Sequence, residues 1–371
     1  MRRWTRILAL FLKELIALWR DPRSRAAVLV PPLVQGLVFG YGATFDLYRV
    51  PVAVYDEDRS GAARELLARV SAARAFQLLG PIDRHDQIAG LIAGREAVLV
   101  MHVGPDFARD LLAGRGATVQ VVVDGRNSNT ALIALGYVNA IVQAFNEAWA
   151  RDRGLPKARA RLEVRSWFNP NLESRWFILP GLVGMITLVL ATIVTALSLA
   201  REREEGTFDQ LLVTPLTPLE ILIGKVLPGL AVGLIGATIL VLVAHLWFRV
   251  PLIGSIALLY LGILLYLLSA VGIGVMISSF ARTQQQALLG AFLFVVPAAI
   301  LSGFATPIEN MPEAVQWVTY ANPLRYFLVI CRGVFLQDLT LAELWPELWP
   351  MALIGVLTMG IATWLFRRRL Q

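Results

Sequence analysis

Residues 176–200 read WFILPGLVGMITLVLATIVTALSLA, and the segment that follows, 201–225, reads REREEGTFDQLLVTPLTPLEILIGK. The first stretch has no Asp, Glu, Lys or Arg. Crossing a hydrocarbon core of about 30 Å takes roughly 20 mostly apolar residues. The second stretch carries five acids and three basic residues between apolar flanks. A span that runs straight into an acidic turn and back into apolar sequence describes a chain that crosses a membrane repeatedly.

The same scan finds five further charge-free stretches: 26–45, 226–248, 250–281, 283–308 and 348–366. Stretch 250–281 is too long for one span. Its start (Val250, Pro251, Gly254) reads as loop and its helix as 256–280. The fifth span is placed at 283–302. The fold class is therefore a polytopic α-helical membrane protein with six transmembrane helices: 26–45, 176–200, 226–248, 256–280, 283–302 and 348–366. Pro31, Pro32 and Pro180 lie inside spans, where neighbouring helices can satisfy the freed carbonyls. Stretch 26–45 follows a long charged leader with no small-residue cleavage site, so it reads as a retained span and not a signal peptide.

Composition agrees. The chain has 371 residues, 57% hydrophobic and 16% charged, with mean hydropathy +0.62. Soluble domains average about 45–50% apolar and about 25% charged. These values exclude a disordered chain and an ordinary soluble enzyme. Cys331 is the single cysteine, which excludes an intramolecular disulfide and a Cys-based metal site.

Residues 46–175, between the first and second spans, form a soluble insert with 17 basic and 15 acidic residues. Strand patterns at 50–55, 96–102, 118–124 and 161–167 alternate with helical patterns at 60–71, 85–93, 105–113 and 128–151. Such alternation predicts a small α/β domain, long enough to bury its own core.

Orientation follows the positive-inside tendency. With a cytoplasmic N-terminus, fourteen basic residues fall inside in the leader, the 201–225 loop, Arg282 and the 367–371 tail. Eleven fall outside when the flanks of the insert are counted. Both termini are then cytoplasmic and the α/β domain is extracytoplasmic. Of the net charge of +7, segment 1–25 holds +5 and the C-terminal tail +3, whereas 201–225 is −2. The basic excess marks topology, not nucleic-acid binding. Segment 1–25 places Trp4, Ile7, Leu8, Phe11, Leu15, Leu18 and Trp19 near one helical face, the pattern of an interfacial helix on an anionic leaflet. Asp21-Pro22 breaks it from the span.

The chemistry in the chain is sparse. The spans hold one ionisable residue, His245, read as an ordinary interfacial side chain, so an ion-coupled carrier is disfavoured. Gly224-Lys225 is followed by Val226 and lacks the upstream glycine of a nucleotide-binding loop. No nucleophile elbow appears. His85 with Asp83 and Asp86, and His102 with Asp106, lack zinc-helix spacing and read as surface residues. Asp124-Gly125 with Asn127 and Asn129 reads as a turn and not a calcium loop. The chain is not expected to be an enzyme, to hold a metal or to bind a cofactor, and its driving energy must come from another polypeptide.

Three segments together resemble the permease subunits of type-2 ABC exporters, along essentially the whole chain. Lys13-Glu14-Leu15, Arg20-Asp21-Pro22, Pro31 and Gln35 resemble the connecting helix and its entry into the first span. In 201–225, Glu204, Glu205, Gly206, Thr207, Leu211-Leu212, Thr214-Pro215 and Gly224-Lys225 resemble the cytoplasmic coupling segment. Within 303–347 and the residue before it, Ser302-Gly303-Phe304, Pro307, Met311-Pro312, Asn322-Pro323 and Tyr326 resemble the outward re-entrant segment. The insert is similar to that of the bacterial multidrug and antibiotic-efflux branch.

The resemblance implies a bacterial inner-membrane half-transporter that pairs with a second permease, identical or paralogous. Two ATPase subunits carrying ATP and Mg would dock on its cytoplasmic side, with room for a membrane-fusion adaptor outside. Coupling would rest on Arg20, Asp21, Glu202, Glu204, Glu205, Gly206, Thr207, Leu211, Thr214 and Pro215. The outer gate would comprise Ser302, Gly303, Pro307, Asn322 and Pro323, and the substrate path Phe177, Met185, Phe292 and Phe294. The cargo would be amphipathic or hydrophobic compounds. Two rival readings stand beside it: export of a lipid-linked glycan or other envelope component, and a membrane-anchored sensor or assembly factor.

Overall fold

The structure, a computed structural model, describes residues 3–42, 47–154, 168–169, 173–206 and 217–369. Two compact units are separate: Met1–Ala43 with Ser166–Gln371, and Thr44–Arg165. The chain begins with α1 (Arg3–Arg20) and α2 (Pro22–Gly42), parted at Asp21. The residue before a proline is disfavoured in the helical region, and proline is well suited to a first helical position. The helix of the first span therefore starts at Pro22, earlier than the absence of charge suggests, and its apolar part is Val28–Gly42.

The second unit is an α/β domain built on one four-stranded sheet. It runs β1 (Val50–Asp56), α3 (Gly61–Ala72), β2 (Phe76–Pro81), α4 (Asp86–Ala93), β3 (Leu99–Val103), α5 (Phe107–Leu112), β4 (Val119–Val123) and α6 (Ser128–Asp152). The strand order is β2-β1-β3-β4, with β1 parallel to β2 and β3, and β4 antiparallel to β3. Period-two alternation sends Val50, Val52, Leu99 and Met101 into a core with Leu66, Val70, Phe107, Val138 and Phe145 from α3, α5 and α6. The opposite face carries Ala53 and Val100, covered by Ile88 of α4. Ser60 starts α3 by accepting a hydrogen bond from the Ala63 amide at 3.1 Å. Strand β2 has no counterpart in the sequence reading: it is short and ends in Gly80-Pro81, which reads as a turn, with Gly80 at φ +130°. The strand expected at 161–167 lies outside the described residues.

The first unit continues with α7 (Ser174–Glu204), α8 (Pro218–Leu242), α9 (Ile256–Phe280), α10 (Gln284–Ile300), α11 (Glu313–Thr319), α12 (Pro323–Leu336) and α13 (Leu341–Arg369). Among the described residues, four helices are long and apolar enough to cross a membrane: Ser174–Glu204, Leu219–Trp247, Ile256–Phe280 and Leu341–Arg368. Val28–Gly42 and Gln284–Ile300 are apolar but shorter. Helix α7 is the hub, packed against α8, α9, α10 and α12. Lipid tails offer no hydrophobic drive between helices, so close contact depends on small residues. A Cβ on Gly229 of α8 would stand 2.2 Å from Thr195 Oγ1 of α7. One on Gly184 of α7 would stand 2.9 Å from Leu324 and Phe327 of α12. Tyr266 of α9 stacks on Phe327 with ring centroids 4.4 Å apart and donates its hydroxyl to the Gly184 carbonyl at 2.9 Å.

Further helix ends lie away from the expected span limits. Helix α8 starts at Pro218 and not 226, because Thr217 and Glu220 form a reciprocal capping box. Helix α13 starts at Leu341 and not 348: Glu343 accepts from the Thr340 amide at 2.8 Å at the helix start. Helix α10 stops at Ile300, where Leu301 caps it and Gly303 turns the chain at φ +83°. The expected re-entrant segment and loop, 303–347, contains the short helix α11, the buried α12 and the start of α13.

Candidate functional site

Helix α7 has 31 residues. At 1.5 Å per residue this is about 46 Å, so its last turns project beyond a hydrocarbon core about 30 Å thick. The projecting end is Arg201–Glu205, and the helix closes on Gly206, whose φ of +69° suits a residue without a side chain. The charges here are engaged within the chain. Glu202 forms an ion pair with Lys225 of α8, their side chains only 15% and 5% exposed. Arg203 Nη1 donates to the carbonyls of Ser278, Ser279 and Ala281 at 2.9, 3.2 and 3.2 Å, closing the C-terminus of α9. Glu204 accepts from the backbone amide of Gln284 at 2.9 Å and its side-chain amide at 3.2 Å, at the N-terminus of α10. One helical turn thus clasps the ends of α8, α9 and α10.

This arrangement refines the sequence reading, which assigned Glu202, Glu204 and Glu205 together to docking on a partner. Because α7 remains helical through Glu204, Glu202 meets α8 and Glu204 meets the α9–α10 turn. Glu205 is the exposed cap. Thr207, Leu211, Thr214 and Pro215 lie outside the described residues. Arg20 and Asp21 are exposed at the α1–α2 break. Helix α1 packs against α8. Its Ile7 and Leu10 are buried, and a Cβ on Gly224 of α8 would stand 2.3 Å from Leu10. Leu8, Leu12, Ile16 and Trp19 form an exposed apolar stripe on the same helix.

The expected gate residues meet at the end of α10. Ser302 is buried, donates to the Ala299 carbonyl at 2.7 Å and accepts from the Phe304 amide at 3.2 Å. Asn322 donates to the Ala298 carbonyl at 2.7 Å and accepts from the Leu324 amide at 3.1 Å, which ties α10 to the start of α12. Pro323 is the buried first residue of α12, and Pro307 precedes the short turn Ile308–Asn310. The four path residues do not share a face. Phe177 and Phe292 are exposed, Met185 is half-buried, and Phe294 packs against the helical core. Two residues apart on α10, Phe292 and Phe294 point about 200° away from each other.

Among the described residues, no cluster of three or more His, Cys, Asp or Glu side chains could hold a metal ion. His102 does not pair with Asp106, which bonds Arg109 at 2.8 Å. Strand register places Tyr55, His102 and Gln120 side by side. His102 bonds Glu57 at 2.8 Å and Gln120 at 3.1 Å, and Tyr55 stacks on its ring. Burial lowers the His102 pKa, but the hydrogen bonds to Glu57 and Gln120 outweigh it and leave a net rise; the same bond from His102 holds Glu57 low. Asp124 is held by Arg126 across the expected turn at 2.8 Å. Among the described residues, His245 bonds the local carbonyl of Val250 at 3.0 Å.

A family model described as ABC-2 family transporter protein matches residues 27–364. The chain belongs to the ABC-2 transporter family. It is 40% identical over 370 residues to the "Probable multidrug ABC transporter permease YbhR" of Escherichia coli, covering 100% of this chain and 99% of that protein. The "Probable multidrug ABC transporter permease YbhS" of Escherichia coli is 35% identical, covering 99% and 97%. The "Inner membrane transport permease YhhJ" of Escherichia coli is 32% identical, covering 99% and 98%. Membership implies a paired permease and an ABC ATPase partner for this ABC-2 permease. Arg203 of the clasp is a residue that sequence reasoning did not single out, and Lys225 entered through the rejected nucleotide loop and the Gly224-Lys225 resemblance, with no partner assigned. Lys225 carried one further signal, being one of three lysines and sitting where an apolar stretch begins.

Proposed function

We infer that the chain is the membrane-spanning half of an ATP-driven exporter that expels amphipathic or hydrophobic compounds across the bacterial inner membrane. The single observation that carries this is the end-to-end match, family model and 40%-identical relative together, to proteins named as multidrug permeases. ATP and Mg would then be bound by a separate subunit, a reading supported by the lack of a nucleotide-binding loop in this sequence. The chain crosses six times, α2 and α10 serving as the two short spans, with both termini cytoplasmic and the α/β unit outside. A second permease completes the path, since Phe292 is exposed on α10 and Phe177, although packed beside Arg332, is open on one side.

ATPase movement reaches the bilayer through the clasp. Force applied near Gly206 turns α7, and Glu202, Arg203 and Glu204 carry the ends of α8, α9 and α10 with it. Nucleotide binding shifts the inward–outward balance only through contacts that differ between the two states. The test is copurification of the full chain with its ATPase subunit and assay of ATP hydrolysis with amphipathic dyes. Dye-stimulated hydrolysis that requires this chain is expected. Hydrolysis indifferent to both dye and chain contradicts the reading.

A further inference from the structure

Among the described residues, Arg332 of α12 has two guanidinium nitrogens with no acceptor. Its Nε and Nη2 are closed off from the surface and have no hydrogen-bond partner. No described carboxylate pairs with it, in contrast to Arg203, which reaches three carbonyls, and Arg325, which bonds Thr319 Oγ1. What surrounds it is aromatic. The guanidinium carbon stands 3.8 Å over the Phe177 ring, and a Cβ on Gly181 would meet Nη2 at 3.5 Å and the Phe304 ring at 2.4 Å. Phe177 is 39% exposed, so one wall of this setting opens to the surface, whereas Phe304 packs on the core.

A guanidinium in such a place satisfies little of its donor capacity through ring faces. Its planar fork matches an oxyanion, carboxylate or phosphate, that can bridge two nitrogens. The open apolar ring beside it suits the hydrocarbon body attached to that anion. We propose that Arg332, Phe177 and Phe304 form a binding site for the acidic head group of an amphipathic molecule whose apolar part lies on Phe177. The choice of an amphipathic ligand rests on the export reading above; the oxyanion rests on Arg332 itself. The same chemistry is offered by a membrane lipid phosphate and by an exported organic acid.

The test uses the full chain in dodecylmaltoside micelles, free of phospholipid and of ATPase, so that its failure is distinct from a failure of transport. The probes are dansyl-undecanoic acid and its methyl ester, read by energy transfer from tryptophan. Arg332→Met and Arg332→Lys are compared with wild type. Arg332→Met is expected to weaken binding of the acid on the order of tenfold or more, with Arg332→Lys intermediate, while ester binding is unchanged and reports an intact fold. Added phosphatidylglycerol that displaces the acid supports the site with lipid as its source. Acid binding indifferent to phosphatidylglycerol supports it with the exported acid as its source. Equal acid affinity in wild type and Arg332→Met overturns the proposal, as does parallel loss of acid and ester in both variants.

Discussion

At the scale of single residues, Glu202 and Lys225 carry the sharpest energetic consequence. Two opposite charges removed from water cost desolvation that their mutual attraction roughly offsets, so the pair adds little net stability, yet stranding one partner is expensive. Lys225→Met alone is expected to destabilise the chain by about 3–5 kcal/mol, and Glu202→Leu with Lys225→Met to recover most of the loss. Thermal unfolding of the four species in micelles checks this; additive losses contradict it. The pair also marks where sequence legibility stops. Glu202 and Lys225 are 23 positions apart and the Arg203–Ser278 bond joins residues 75 positions apart, so no local pattern announces either. The Thr217–Glu220 capping box, by contrast, was present in the sequence as T-P-L-E, where Thr217-Pro218 also reads as turn punctuation.

At the scale of elements, spans were legible because a missing charge over about 20 residues has one common physical cause, a surrounding hydrocarbon phase. Their ends were less so, because caps and not hydropathy terminate helices, as at Thr217, Glu343 and Gly303. Strand β2 was hidden by Gly80-Pro81, although the register of β1 depends on it. The β1–β3–β4 row Tyr55, His102 and Gln120, joined by Glu57, makes a pH-dependent prediction for the α/β unit. Glu57 is held below its usual 4.5, so its contribution is present above that pH and lost as pH falls through the lowered value. His102 is held above its usual 6.5, so its contribution is complete below that pH and lost as pH rises through the raised value. The stability difference between wild type and His102→Gln is therefore expected to peak between 4.5 and 6.5 and shrink on both sides, in a pH series of unfolding curves. A difference constant from acid to alkaline pH contradicts it.

At the scale of the whole molecule, a helical unit that spans the membrane carries an α/β unit inserted in its sequence. The family was readable from three motif segments in order. Glu202 and Glu204 also bond within the chain, Glu202 to Lys225 of α8 and Glu204 to Gln284 at the start of α10. On the proposed function, transmission would depend on α7 and its partners moving as one body, with Glu205 and Gly206 at the exposed end of the clasp. The central claim is that this body moves amphipathic compounds at the expense of ATP hydrolysed by another subunit. The direct measurement is uptake of a fluorescent amphipathic dye into inside-out vesicles that contain the permease and its ATPase. The expected result is ATP-dependent accumulation that disappears when either subunit is omitted and when nonhydrolysable nucleotide replaces ATP. Accumulation that persists without the permease, or the absence of ATP-dependent accumulation of any amphipathic dye by a complex that hydrolyses ATP, would contradict it.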